Sequence, residues 1–316
     1  MPATALLKLA ERFPVIVTLE LAAVVVTLWW WSGGNVELLT VDARIWQGQI
    51  WRLVSAALPH YDMIHLAFNL SCVAVFGSRV EEVFGPLVTT ALLLVFAAGS
   101  MVADYDLADG GVGLSGVAYG LFGFLWVLAK RDRRFADAIS PQTTQWLVLW
   151  LFLCIGLTYT GTWRVANVAH AAGAGFGALA GLVMAPPSGY RRPLAAAALV
   201  AALAAVLAAG AFARPYINFT GAAGRELDKL AIQAIQRGDN QAAADLLERA
   251  VRLRPARSEW WHNLGVAYHR QGRDRDAARA FRRAYELNPA DSEAREAAEG
   301  LETSAAMDDL LRERSP

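Results

Sequence analysis

Long apolar runs, separated by short polar loops, constrain this chain more than any other feature. They recur near 14–32, 61–78, 86–103, 115–129, 144–160, 166–185 and 194–212. Most approach the roughly 20 residues that a helix needs to cross a bilayer core. Lipid offers no partner for backbone N–H and C=O groups, so such runs cross as helices. The pattern predicts an all-α, polytopic membrane bundle of seven spans. Pro14 to Trp31 is too long for a signal peptide's apolar region and lacks a small-residue cleavage site, so it reads as a span.

The charges support this reading. Of the 316 residues, 55% are hydrophobic and only 18% are charged, against about 25% in soluble domains. The formal net charge of +0 excludes an overall field suited to nucleic acid. Lys8 and Arg12 precede span one, and Arg79 follows span two. Lys130, Arg131, Arg133 and Arg134 follow span four, and Arg191 and Arg192 follow span six. The alternate loops are poorer in Lys and Arg, and Asp104, Asp106 and Asp109 are assigned to the loop after span three. The positive-inside rule then predicts a cytoplasmic N-terminus, with spans two, four and six running inward. Seven spans leave the C-terminus outside.

After Pro215 the chain becomes charged and Ala-rich. Trp261, Leu264, Gly265, Tyr268, Ala277, Phe281, Ala284 and Pro289 follow the tetratricopeptide spacing. One period of about 34 residues earlier stand Leu227, Leu230, Ala231, Ala234, Ala243, Leu247, Ala250 and Pro255. The reading is a membrane domain at 1–190, a seventh span at 191–215 and a linker at 216–224. Repeats with a capping helix follow at 225–301, then a tail at 302–316. The repeats are expected to bind a peptide or partner protein. Trp260 and Trp261 are expected at the helix core and edge, and His262 and His269 facing solvent.

Four polar side chains stand out in the membrane half. Lys130 marks the inner end of span four, which places Ser115 roughly 8 Å below the outer surface of a core about 30 Å thick. The Gly-rich loop 110–114 must then dip into the membrane, which requires shelter by protein or a wet cavity. Counting from Arg164, His170 lies roughly 9 Å deep; counting from His60, His65 lies about 7 Å and Asn69 about 13 Å deep. His65 and Asn69 are i and i+4 and share a helix face. A shared pocket inside the bundle satisfies all four. Gly173, Gly177 and Gly181 on span six, and Gly116, Gly120 and Gly123 on span four, allow the two backbones to meet.

The chemistry follows from these residue types. A serine needs a base to accept its proton, and His170 is the candidate base. The developing oxyanion needs donors. Ser115 heads a helix, where backbone N–H groups are free, and His65 and Asn69 can add side-chain donors. Tyr119, one turn below Ser115, can pack on the imidazole. Glu20 in span one is a candidate to orient the histidine, but nothing places it beside His170, and an interhelical hydrogen bond is the favoured reading. No metal or organic cofactor is expected: Cys72 and Cys154 lie in apolar runs, and HExxH is absent.

These residues resemble the motifs of the rhomboid intramembrane serine proteases. "GVGLSG" is similar to the family's GxSG, with Ser115 as nucleophile, and "AHAAGAGFG" to AHxxGxxxG, with His170 as base. "HLAFN" is similar to HxxxN, which places His65 and Asn69 in the oxyanion site. Trp51–Arg52 matches the family's first-loop signature, Glu81 and Gly85 match ExxxG, and Tyr119 falls at the family's tyrosine. Gly113, Gly116, Gly173 and Gly177 support the same segments. The resemblance spans about 35–190. It implies a six-helix catalytic core that cuts transmembrane substrates near the outer face, gated by about 144–165. A seventh span with tetratricopeptide repeats resembles a bacterial subset of the family, and the charge-based orientation puts these repeats outside the cytoplasm. A catalytically inactive relative that binds clients, and a transporter or receptor, are the competing readings. The presence of both serine and histidine favours the protease.

Overall fold

The computed structural model describes residues 3–163, 165–186 and 191–313. It divides into two compact units, Met1–Ile217 and Asn218–Pro316. Arg164, used above to measure the depth of His170, lies outside the described residues, as does the side chain of Arg191.

The first unit begins with α1 (Ala3–Arg12) and α2 (Pro14–Trp31). A loop with two short 3-10 turns and α3 (Arg52–Ser55) leads to α4 (Met63–Leu107). Then come α5 (Ser115–Ala129), α6 (Pro141–Tyr159), α7 (Asn167–Met184), α8 (Arg191–Ala208), a π-helical segment and the short α9 (Arg214–Ile217). Among the described residues, four segments have the length and composition to cross a bilayer: Pro14–Trp31, Met63–Leu107, Asn167–Met184 and Arg192–Ile217. Helix α4 is long enough for two passes. It breaks at Gly85, whose φ of 76° is open to glycine, and Pro86 follows. The two arms run antiparallel: His65, near the start, and Ser100, near the end, both lie against the segment around Ser115. With the shorter α5 and with α6, the bundle has a six-helix core and a seventh span.

Local chemistry sets the helix starts. Pro141 sits at the head of α6 behind Ser140, whose hydroxyl accepts from Thr143 N–H at 3.0 Å. Asp62 caps α4 through His65 N–H at 2.8 Å. Helix α2 has no cap of its own; Glu81 supplies one from α4, accepting from Val15 N–H at 2.9 Å and Ile16 N–H at 3.1 Å.

Helix α5 is the centre of the unit. Every residue from Ser115 to Leu128 is buried except Trp126, as expected of a helix surrounded by others. Arg12, Arg79 and Arg134 gather at one end. Arg12 pairs with Glu82 at 2.6 Å, Arg79 pairs with Glu82 at 3.0 Å, and Arg79 also donates to the Arg134 carbonyl.

In the second unit, α10 (Ala222–Gln236), α11 (Asn240–Leu253), α12 (Ser258–Arg270) and α13 (Asp274–Leu287) form two helix pairs, and α14 (Ser292–Glu313) follows. Leu227, Ala231, Ala243, Leu247, Trp260 and Leu264 share one core. Phe281 packs with Ala277, Ala284, Ala294 and Ala298 in a second. The last helix extends past residue 301 through Glu313. The first unit likewise extends past residue 215 to Ile217. His269 is exposed and pairs with Asp274 at 2.8 Å. His262 is not solvent-facing as the sequence reading had it. It stacks edge-on to Phe281 and meets Asp291 at 3.0 Å, because the capping helix closes over it.

Candidate active site

Ser115 is buried as the first residue of α5, and no side chain caps this helix. Its first-turn N–H groups therefore lack intrahelical acceptors. The two amides before it are occupied: Gly113 N–H donates to the Ala56 carbonyl at 3.1 Å, and Leu114 N–H to His60 Nε2 at 3.2 Å. Gly113 has a φ of 109°, and a Cβ there would stand 2.7 Å from His65 Cε1. Only glycine lets the loop pass beside His65 and deliver the serine.

His170 is buried in the first turn of α7. The two helices meet backbone to backbone. A Cβ at Gly173 would overlap the Gly116 carbonyl, and one at Gly177 the Gly120 carbonyl. The ridge on α5 is turned relative to the sequence reading. Gly116 and Gly120 present their missing side chains to Ser100 and Phe96 of α4; Gly123 alone presents its own to α7, at the Ala174 carbonyl. The cause is that α5 is pressed from two sides, so one set of glycines serves both contacts.

Tyr119 stacks on His170, with ring centroids 4.7 Å apart and planes at 20°. Its hydroxyl donates to the Leu147 carbonyl of α6 at 2.9 Å. Such ring pairs contribute about 0.5–1.5 kcal/mol beyond area burial. Asn69 is buried one turn after His65 on α4. Two buried polar atoms here have no hydrogen-bond partner among the described residues, Asn69 Nδ2 and His170 Nδ1. Leaving such atoms unpaired costs about 1–3 kcal/mol each. No hydrogen bond joins the Ser115 hydroxyl to His170 among the described residues; such contacts commonly tighten only with substrate bound.

Trp51 and Arg52 lie in the first loop. Arg52 is buried and donates through Nη1 to the carbonyls of Glu37 and Thr40, at 2.5 and 2.8 Å, and through Nε to Gln49 Oε1 at 2.7 Å. Burial alone would raise the Asp42 carboxyl, but hydrogen bonds from Arg44 and the charges of Arg44 and Arg52 outweigh it and hold it below the usual range. Trp51, Trp46, Ile50 and Leu38 of this loop are exposed.

Two residues at the site escaped the sequence reading. His60 is fully buried and edge-on to His65 at 4.9 Å. Its Nδ1 lies 2.9 Å from the Leu58 carbonyl while its Nε2 accepts from Leu114. That pairing assigns the proton to Nδ1 and leaves the ring neutral. The second is Asp104. The acidic stretch assigned to a loop is helix through Leu107, with Asp104 and Asp106 both buried. Asp104 is held there by the Ala169 N–H, which donates to it at 3.2 Å. Glu20 also departs from expectation: its Oε1 is buried without a hydrogen-bond partner among the described residues.

The sequence matches the model of the Rhomboid domain over residues 47–187 and that of the Tetratricopeptide repeat over 229–300. It is 32% identical over 147 residues to Rhomboid protease GlpG of Pectobacterium atrosepticum, covering 44% of this chain and 49% of that protein. It is 34% identical over 132 residues to Rhomboid protease GlpG of Yersinia pseudotuberculosis, covering 40% and 45% respectively. The chain thus spans about half the length of these relatives. Ser115, His170, His65 and Asn69 thus all lie in the stretch of this membrane protein that is similar to the Rhomboid domain, and the match to the tetratricopeptide repeat falls in its C-terminal part.

Proposed function

We propose that this protein is an intramembrane serine endopeptidase that cuts transmembrane segments of other membrane proteins near the outer face. The observation that carries the reading is the pairing of two helix starts. Ser115 and His170 each lie in a first turn, on helices locked together at Gly116 and Gly173, with Tyr119 stacked on the imidazole. The names of the relatives, Rhomboid protease GlpG, point the same way.

In this mechanism Ser115 Oγ attacks the scissile carbonyl carbon while His170 takes the hydroxyl proton. The tetrahedral oxyanion is met by the Ser115 N–H, the Asn69 amide and His65. The unpaired Asn69 Nδ2 suits such a task. Collapse breaks the C–N bond, and His170 returns the proton to the departing amine. Water, deprotonated by the same histidine, then releases the acyl group from Ser115. Substrates enter beside α6, which buries only Leu147 and Cys154 and touches α4 through Phe68 and Trp150, ring centroids 5.4 Å apart. The N-terminus is cytoplasmic, and the repeats lie outside the cytoplasm, where they bind a peptide or protein partner.

The test uses purified protein in liposomes with a model transmembrane substrate. Ser115→Ala and His170→Ala should each lower kcat about a thousandfold or more, because nucleophile and base act as a unit. Asn69→Ala should cost about tenfold, since other donors remain. Equal cleavage by wild type and Ser115→Ala would reject the nucleophile. No cleavage by wild type of any transmembrane substrate would favour an inactive, client-binding relative.

A further inference from the structure

Neither helix of the Ser115–His170 pair caps its own start. The N-cap of α5 is Leu114 and that of α7 is Ala166, and neither offers a side-chain bond. The carboxylate of Asp104 stands between them. It accepts from Ala169 N–H, in the first turn of α7, at 3.2 Å, and its other oxygen lies against Gly111 in the loop that delivers Ser115, where a Cβ would stand 3.4 Å from Asp104 Oδ2. Gly111 itself abuts Ala166, with no room for a Cβ. One buried side chain of α4 thus meets the His170 turn and the Ser115 loop at once. A negative group at a helix start also suits the dipole of α7.

The turn of α4 that carries Asp104 is fastened in its own right. Arg214, buried beyond the end of α8, donates from Nε to the Tyr105 carbonyl at 2.9 Å. Its guanidinium lies 3.7 Å from the centroid of the Tyr105 ring, and its charge acts on Asp106. The chain reaches this position through the π-helical segment Ala209–Ala213, where a Cβ at Gly210 would stand 2.5 Å from Asp106 Oδ1 and 2.8 Å from Trp46 Cζ2. A cation at a helix end bonds the last carbonyls and suits the dipole there.

We propose that Asp104 is a positioning residue that sets the Ser115 loop against the His170 turn, and that the seventh span serves catalysis by clamping Asp104's turn through Arg214. This rests on the protease reading above. The seventh span is then more than an anchor. Each contact is a cap supplied from another helix: Arg214 closes the end of α4, and Asp104 closes the start of α7.

The test uses the full-length protein in liposomes and has two arms. In the kinetic arm, Asp104→Ala should lower kcat about 30-fold or more with KM changed less than about threefold, as misplacement of reacting groups does. Asp104→Asn keeps an acceptor oxygen and should restore kcat to within about fivefold of wild type. Arg214→Met should lower kcat about three- to tenfold at unchanged KM. In the hydrogen-exchange arm, amides 167–171 should exchange faster in Asp104→Ala and Arg214→Met than in wild type, on a Ser115→Ala background as well. That arm needs no turnover, so it stands even if the protease reading fails. Unchanged exchange at 167–171 in Asp104→Ala would overturn the tether. An Asp104→Asn variant as slow as Asp104→Ala would overturn the positioning role of the acceptor. An Arg214→Met variant with wild-type kcat and exchange would overturn the clamp.

Discussion

At Gly113 a side chain is excluded twice, by a φ of 109° and by the His65 ring 2.7 Å from where a Cβ would stand. Gly113→Ala should therefore lower cleavage more than tenfold while leaving the bundle folded, because the strain of about 1–3 kcal/mol falls on the loop that presents Ser115. Cleavage and thermal unfolding measured side by side would check this. In the second unit the residue to watch is Asp291. Burial alone would raise its carboxyl, but the Ala294 N–H and His262 outweigh it and hold it low. A depressed folded-state value stabilises above the unfolded value of about 3.9 and ceases to do so as pH falls through the folded one. Exchange of the first amides of α14, corrected for intrinsic rate, should rise across that window in wild type. In Asp291→Asn the rise should be absent.

At the scale of elements, the bundle depends on helices that complete one another. Glu81 caps α2 from another helix, so Glu81→Ala should destabilise the protein by about 1–2 kcal/mol, read as a lower unfolding midpoint in detergent. Such relations explain what was legible in the sequence. The spans are written locally, as apolar runs of bilayer length, and Ser115, His65, Asn69 and His170 stand out because each is a polar side chain inside one. The small residues on α5 and α7 announce close packing, but not that Gly116 and Gly120 would turn toward α4. Asp104, Asp106 and His60 stayed hidden for the opposite reason. Each sits at a span's edge, where a polar residue needs no special explanation. Their burial depends on contacts from distant segments: Ala169 for Asp104, Gly210 for Asp106 and Leu114 for His60. His262 was misjudged likewise, since Asp291 covers it from 29 residues away.

At the scale of the whole molecule, two kinds of core share one chain. The membrane unit is held by backbone contact at glycines, and the repeat unit by Ala and Leu layers around Trp260 and Phe281. Loss of a buried aromatic side chain costs about 3–5 kcal/mol. Trp260→Ala should accordingly loosen α10–α12 in exchange experiments while cleavage of a short model substrate stays within about twofold. If the repeats recruit a substrate, removing residues 218–316 should slow cleavage of that substrate and spare the model one.

The reversal at Gly85 bears on how the protein is made. A single residue connects the two antiparallel arms of α4, so no spare chain exists for one arm to settle in the bilayer ahead of the other. The pair is expected to pass from ribosome to lipid as one hairpin. Glu81, four residues before the bend, then becomes available to α2 only when that hairpin has arrived. The order of synthesis then leaves the first span waiting for its side-chain cap until the next two come to join it.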